Sequence, residues 1–270
     1  MRLTSLILSV AAFSSALAPA QDNYSLWPRR PAEIEQAQHL IHRQEYDQAL
    51  ALLTPFVHKA GLTGHESRHL IGAICTRRYL SAQHPRAHTH TVRRGENIER
   101  IASANKSSRD LIILVNAMVD PSNLRIGQQL IIIPQDLRAE LNLETREISV
   151  WDGQSLVAAY DITPSQELLP AGSANEETTL RDREGEQHGK RIPRNSAIFP
   201  ACDRILRLAN GILITGSESA PKGKTVRMKQ RELNELSLLL GAGARFSIVA
   251  DAKNFDPFPS SAAPQKTPAK

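Results

Sequence analysis

The stretch HTVRRGENIERIASANKSSRDLIILVNAMVDPSNLRIGQQLIIIP, residues 90–134, constrains this chain more than any other. A short β-prone run at Thr91–Arg93 leads into a glycine turn at Gly95, and Asn97 stands where a helix N-cap belongs. Ser107 or Ser108 opens a second helix in the same way. A connector built on Pro121, Asn123 and Gly127 follows, and Gln129–Ile133 reads as an apolar strand. The order is strand, helix, helix, strand.

With its opening His90-Thr91-Val92, its turn Gly95-Glu96-Asn97-Ile98, Ile101-Ala102 in the first helix, Asn116 after the second, and Gly127-Gln128, Leu130, Ile132 and Pro134 at its end, the segment resembles the LysM family. That resemblance implies a βααβ module that binds N-acetylglucosamine polymers such as peptidoglycan and chitin. The turn departs from the commoner Gly-Asp-Thr-Leu, and the change is mild. Glycine still permits the tight turn, Glu96 still offers an acidic acceptor beside a helix N-terminus, and Asn97 still caps. By the resemblance, sugar lies in a shallow groove with Gly95, Glu96, Asn97 and Ile98 on one side and Asn116, Met118 and Val119 on the other. The competing reading makes Ile98 and Val119 core residues and Asn116 a helix C-cap.

Upstream, Ile34, Ala37, Ile41, Ala49, Leu50, Leu53 and Val57 fall at helical spacing, with a break around Gln44-Glu45, and a further helix follows Gly64. The pattern EYDQALALLTP, followed by Leu-Ile-Gly-Ala, resembles a tetratricopeptide unit. It implies a helical hairpin with a third helix beginning the next repeat, used either to dock another envelope protein or as a cap or spacer. Within the third helix, His65-Glu66-Ser67-Arg68-His69 fits the zinc-protease spacing, in which two imidazoles share one helical face and a glutamate activates water. A metalloprotease needs a sheet above that helix, and only about 45 mature residues precede it. The pair therefore reads as solvated histidines beside a packed stripe, and no metal is assigned.

Downstream, Glu147–Trp151 and Leu156–Ile162 alternate around an Asp152-Gly153 turn and predict a hairpin. Residues 163–200 read as long connections, ILRLANGILITG as two short strands, Thr225-Val226-Arg227-Met228 as the start of a helix, QRELNELSLLLG as helical and ARFSIVAD as a last strand. The order resembles the L,D-transpeptidase catalytic domain. Ile214-Thr215-Gly216 stands where that family has Ile-His-Gly, and Thr225-Val226-Arg227-Met228 where it has Cys-Ile-Arg-Met. The family's chemistry requires a thiolate nucleophile and a histidine to take its proton. Here both positions are threonine, while Gly216 and Arg227 remain, so the expectation is a degenerate, non-catalytic domain. Cys202 is the one candidate for a relocated nucleophile, with His188 the nearest histidine in sequence.

Two further patterns fail on geometry. Gly223-Lys224-Thr225 follows a strand, yet its separation from Gly216 does not match a phosphate-binding loop. Ser219-Ala220-Pro221-Lys222 fits Ser-x-x-Lys, yet Pro221 and Gly223 oppose the helix that motif needs.

Residues 1–20 have the layout of a secretory signal peptide, with no lipid-accepting cysteine after the small-residue site and no later apolar run of about 18 residues. Export makes nucleic acid an improbable partner, and a net charge of +5 suits anionic wall material or a generally solvated basic surface. Cys75 and Cys202 could pair in an oxidising compartment.

The expected architecture is α+β and multidomain: signal peptide 1–20, helical hairpin repeat 32–84, βααβ LysM module 88–134, mixed mostly-β transpeptidase-like domain 137–251 and a disordered tail 252–270. The expected function is peptidoglycan binding in the periplasm or cell wall without a cofactor. The competing class is an atypical L,D-transpeptidase or wall hydrolase.

Overall fold

A computed structural model describes residues 30–118, 120–121, 123–168, 175–187, 190–192, 199, 202–216, 223–241 and 243–250. The expected signal peptide and tail, Val119, His188 and the Ser219–Lys222 pattern lie outside them.

The segment that begins at His88 folds as expected in type and order. Strand β1 (His88–Thr91) pairs antiparallel with β2 (Gln129–Ile132), His90 standing opposite Leu130. β1 starts three residues before the expected Thr91, because the chain reaching Gln129–Ile132 from the far side extends the ladder back to His88. Helix α4 (Ile98–Ala104) opens on Asn97, whose side chain accepts the Arg100 amide at 2.9 Å. Helix α5 (Arg109–Val115) opens on Ser108, which accepts the Leu111 amide at 3.1 Å. Each cap satisfies a donor that the first helical turn leaves unpaired. Val92, Ile98, Ile101, Ala102, Ile112, Leu130 and Ile132 form the module's own core.

The N-terminal helices are α1 (Ala32–His42), α2 (Tyr46–Leu53) and α3 (Gly61–Tyr79). The expected break falls at Gln44, which adopts φ 63°. α3 begins one turn earlier than Gly64, where the missing side chain makes room for the Lys59 carbonyl. Instead of meeting a second repeat, α3 lies against the sheet: Thr76 Oγ1 donates to Val157 O at 3.2 Å, and a Cβ on Gly72 would stand 2.8 Å from Ala159 N. Trp151 and Leu156 accordingly join Ile34, Leu53, Ile71 and Ile74 in one apolar cluster.

The remaining strands build one mixed sheet. They are β3 (Arg138–Asn142), β4 (Glu147–Asp152), β5 (Ser155–Asp161), β6 (Thr163–Pro164), β7 (Glu176–Gln187), β8 (Lys190–Ile192), β9 (Asp203–Leu208), β10 (Leu213–Thr215), β11 (Thr225–Arg227) and β12 (Arg245–Val249). Among the described residues the order is β5-β4-β3-β12-β7-β9-β10-β11-β6, with β8 beside β7. The β4–β5 hairpin turns at Asp152-Gly153 as expected, Gly153 taking φ 58°.

Two expectations are corrected here. Residues 163–200 are not simply connections, because β7 runs through the middle of the sheet between β12 and β9. Its sequence, EETTLRDREGEQ, is polar because few of its side chains turn inward, and two paired neighbours supply the order that its pattern lacks. Thr225–Arg227 is not a helix start but strand β11, parallel to β10, and helix α6 (Gln230–Leu239) begins after it. Leu233, Leu236 and Leu239 of α6 close the main core over Leu206, Ile214, Val226 and Phe246.

Candidate functional site

A shallow cleft of about 330 Å³ opens on the 88–134 module, lined by Glu96, Asn97, Ile98, Glu99, Arg109, Pro121 and Leu124. Gly95 turns the chain into these residues at φ 81°. Immediately after it, the Glu96 carboxylate accepts the Arg93 amide at 2.8 Å and meets His90 Nε2 at 2.9 Å. The Arg93 amide first, and the His90 ring second, hold the Glu96 carboxyl below its ordinary value, so it is an anionic acceptor. Glu99 and Arg109 approach to 3.0 Å on the wall, and Pro121 and Leu124 add an apolar surface. Acceptors, a guanidinium and an apolar surface meet in one concavity, the mixture that orients a small polar ligand.

The structure brings three of the expected residues, Glu96, Asn97 and Ile98, to this cleft, with Gly95 shaping the turn behind them. The Asn97 side-chain oxygen is already committed to capping α4, and Ile98 is buried in the module core. On the opposite side, Asn116 is occupied elsewhere. Its amide donates to Ile131 O at 2.8 Å and to Ile112 O at 2.9 Å, and its oxygen accepts the Ile131 amide at 2.8 Å. It thereby latches the end of α5 to β2. Met118 packs against the module core, and Val119 is outside the described residues. Glu99, Arg109, Pro121 and Leu124 escaped the sequence reading. The Pro-containing connector was visible as a loop, but nothing local says which of its residues fold back over α4.

The second candidate site lies on β10 and β11. Their parallel register sets Leu213 opposite Thr225 and Thr215 opposite Arg227, so Thr215, Thr225 and Arg227 share one face. Both threonines are buried, at 2% and 6% exposure, while Arg227 is exposed. The Thr225 backbone is fastened by Ser165, which accepts its amide at 3.1 Å and donates its own amide to the Thr225 carbonyl at 2.7 Å. Gly216 packs closely on the start of α6: a Cβ there would displace the Gln230 side chain and stand 3.0 Å from its Cα. Cys202 is buried at the head of β9, with Sγ 3.1 Å from the Phe199 carbonyl and 3.6 Å from Arg204 Nη1. Cys75 and Cys202 are both free thiols, and burial raises the Cys75 thiol above its ordinary value.

No curated protein matches the chain. Among solved structures it is similar to an L,D-transpeptidase of Enterococcus faecium, crystallised as a cysteine-to-serine variant, at 14% identity and TM-score 0.30, over 42% of this chain and 50% of that one. It is similar to L,D-transpeptidase 1 of Mycobacterium tuberculosis at 10% identity and TM-score 0.30, over 46% of this chain and 67% of that one. It is also similar to an L,D-transpeptidase from Xylanimonas cellulosilytica at 13% identity and TM-score 0.32, over 82% of this chain and 97% of that one. The chain thus spans half the length of the first of these. Residues 90–132 match the LysM domain, and the chain therefore carries a LysM domain in its middle.

Proposed function

We propose that this is an exported envelope protein that holds peptidoglycan, or a related N-acetylglucosamine polymer, in the cleft of its LysM domain and performs no transpeptidation. The observation that carries the reading is the coincidence of the LysM match with a cleft that mixes carboxylates, a guanidinium and an apolar floor. Export rests on the signal-like residues 1–20. The outer faces of α1 and α2 are where another envelope protein would dock, since their inner faces are covered by α3 and Trp151.

The absence of catalysis rests on chemistry. Thr215 and Thr225 stand where the resembled family has its histidine and cysteine, and a threonine hydroxyl, un-ionised near neutral pH, is a far weaker nucleophile than a thiolate. The Cys202 thiol is also buried, against a carbonyl.

Sedimentation of the full chain with purified peptidoglycan tests the reading. Wild type should pellet with the polymer, and a Glu99→Lys, Leu124→Ser double variant should lose at least tenfold in affinity, about 1.4 kcal/mol. Leu124 also packs against the domain core and Glu99 pairs with the buried Arg109, so the melting temperature is measured alongside and binding is compared where both proteins are folded. Equal retention of both proteins argues against the cleft. Cross-linking or release of muropeptides by wild type, abolished in Thr225→Ala, would establish the competing enzymatic class.

A further inference from the structure

Helix α3 carries His65 and His69 four residues apart, so both imidazoles leave the same face. That face looks at the open end of the β4–β5 hairpin, where Glu147 and Asp161 are directly opposed across the ladder. Solvated histidines are the expectation from sequence, but in the fold both are half-buried against two carboxylates. Nε2 of His65 and Nε2 of His69 lie 2.7 Å and 3.3 Å from Asp161 Oδ1. Glu147 Oε2 stands 4.0 Å and 3.8 Å from the same two nitrogens. The imidazole centroids are 4.3 Å apart, and the potential ligand atoms of His65, His69 and Asp161 fall within 4.8 Å of one another.

Hydrogen bonding alone leaves this arrangement incomplete. His69 Nε2 is buried and makes no hydrogen bond, although it lies 3.3 Å from the oxygen already bonded to His65. Carboxylates directly opposed across two strands repel one another. Arg68 answers one of them, gripping Glu147 at 2.6 Å and 3.2 Å, and leaves Asp161 to the histidines. Counting Glu232, which acts electrostatically on His69, three carboxylates face Arg68 and Lys229 around the cluster.

We propose that His65, His69 and Asp161 form a binding site for a divalent transition cation of the zinc class. A tetrahedral ion with bonds of about 2.0–2.1 Å needs ligand atoms about 3.3 Å apart; Asp161 Oδ1 stands 3.3 Å from the His69 nitrogen and 2.7 Å from that of His65, so small side-chain adjustments would seat the ion. Two imidazoles and a carboxylate select such an ion over magnesium or calcium. His65 and Asp161 are solvent-accessible, with side chains 36% and 54% exposed, which leaves an entry path and a position for water. Glu147, held by Arg68, sets a second carboxylate 4.0 Å and 3.8 Å from the same two imidazole nitrogens, which adds negative charge beside the ion. This is not the zinc-protease arrangement, since Glu66 turns away to Gln38 and Arg30 at 3.0 Å each. The bound ion instead joins a helix to a strand end far away in sequence, fastening the N-terminal helices to the sheet.

The test uses the full chain after chelation, titrated with zinc by calorimetry and with cobalt by visible absorption. We expect one equivalent of zinc, cobalt d–d bands of tetrahedral intensity that zinc displaces, and a rise in melting temperature on loading. His65→Gln and Asp161→Asn, both at the solvent rim, should each lower affinity at least tenfold while the chelated protein keeps the wild-type melting temperature. His88→Gln, on the LysM domain, should bind as wild type does. The proposal is overturned if no equivalent binds, if binding survives both rim substitutions unchanged, or if it is lost in His88→Gln. Polymer sedimentation is scored separately, so either outcome leaves the sugar-binding reading to its own test.

Discussion

In the LysM domain the two strands pair with each other, and each helix starts on a side chain that hydrogen-bonds three residues ahead. In the large sheet, β3 runs parallel to β12, so Ala139 finds Phe246 across most of the C-terminal half, and the charged β7 is held only because β12 and β9 flank it. The first region is specified by neighbours in sequence, the second by partners that meet only when the whole sheet closes. Damage to a central sheet position should therefore spread through the sheet and spare the domain beside it.

Phe246→Ala is the most severe way to test that contrast. Phe246 is fully buried in the main core, and truncating such a ring costs about 3–5 kcal/mol. Chemical denaturation should show the loss in the sheet's transition while polymer sedimentation persists at low denaturant. Simultaneous loss of sedimentation would mean that the two regions unfold together, through joints such as the Gln135 side chain, which bonds Leu239 O at 2.7 Å.

Gly72→Val asks the same question at the helical edge. A side chain at position 72 would meet Ala159 N at 2.8 Å and Ala158 carbon atoms at 3.3 Å, so α3 must lift from β5 at a cost of about 3 kcal/mol. Its loss should appear in the melting temperature, with the LysM cleft unaffected. Within the domain, Asn116→Ala should cost about 2 kcal/mol, because it frees both backbone groups of Ile131 at once. Sugar affinity should fall only as far as the domain unfolds, which separates a latch from a ligand contact.

The same contrast explains what the sequence disclosed. Asn97, Ser108, Gly95 and the Asp152-Gly153 turn act on residues within one turn of themselves, and each was readable from its own neighbourhood. β3 and β7 were not, since their order comes from pairing rather than from alternation. The cleft divides likewise. Its turn side, Glu96 to Ile98, was named, whereas Pro121 and Leu124 reach it through a connector whose path no local pattern sets. Asn116 is named by the resemblance, with a helix C-cap as the alternative; in the fold it stands at the C-cap of α5 with its amide and oxygen bonded to backbone groups. The His65–His69 spacing was seen, but Asp161 arrives from another element and no periodicity announces it.

Removing a single local cap sharpens the comparison further. Asn97→Ala and Ser108→Ala should each destabilise the LysM domain by about 1 kcal/mol and leave the sheet's transition in place. Thermal melts followed by tryptophan emission and by far-ultraviolet circular dichroism resolve this, the emission reporting the sheet through Trp151 once Trp27 is replaced by Phe.

The smallest effect is the most specific to the cleft. Because the Arg93 amide and the His90 ring favour the ionised form, the folded Glu96 carboxyl titrates below its ordinary value of 4.5. The folded domain thus prefers the carboxylate more than the unfolded chain does. Its contribution is present above pH 4.5 and is lost as pH falls through the lower, folded value. Acid should therefore lower the melting temperature of the LysM transition in wild type, and Glu96→Gln, which cannot titrate, should flatten that acid arm while losing the same increment at neutral pH. Solvent around the carboxylate keeps the difference small. Parallel acid arms in the two proteins would show that the turn is held by Gly95 and Asn97 alone, and would remove Glu96 from the features that preorganise the cleft.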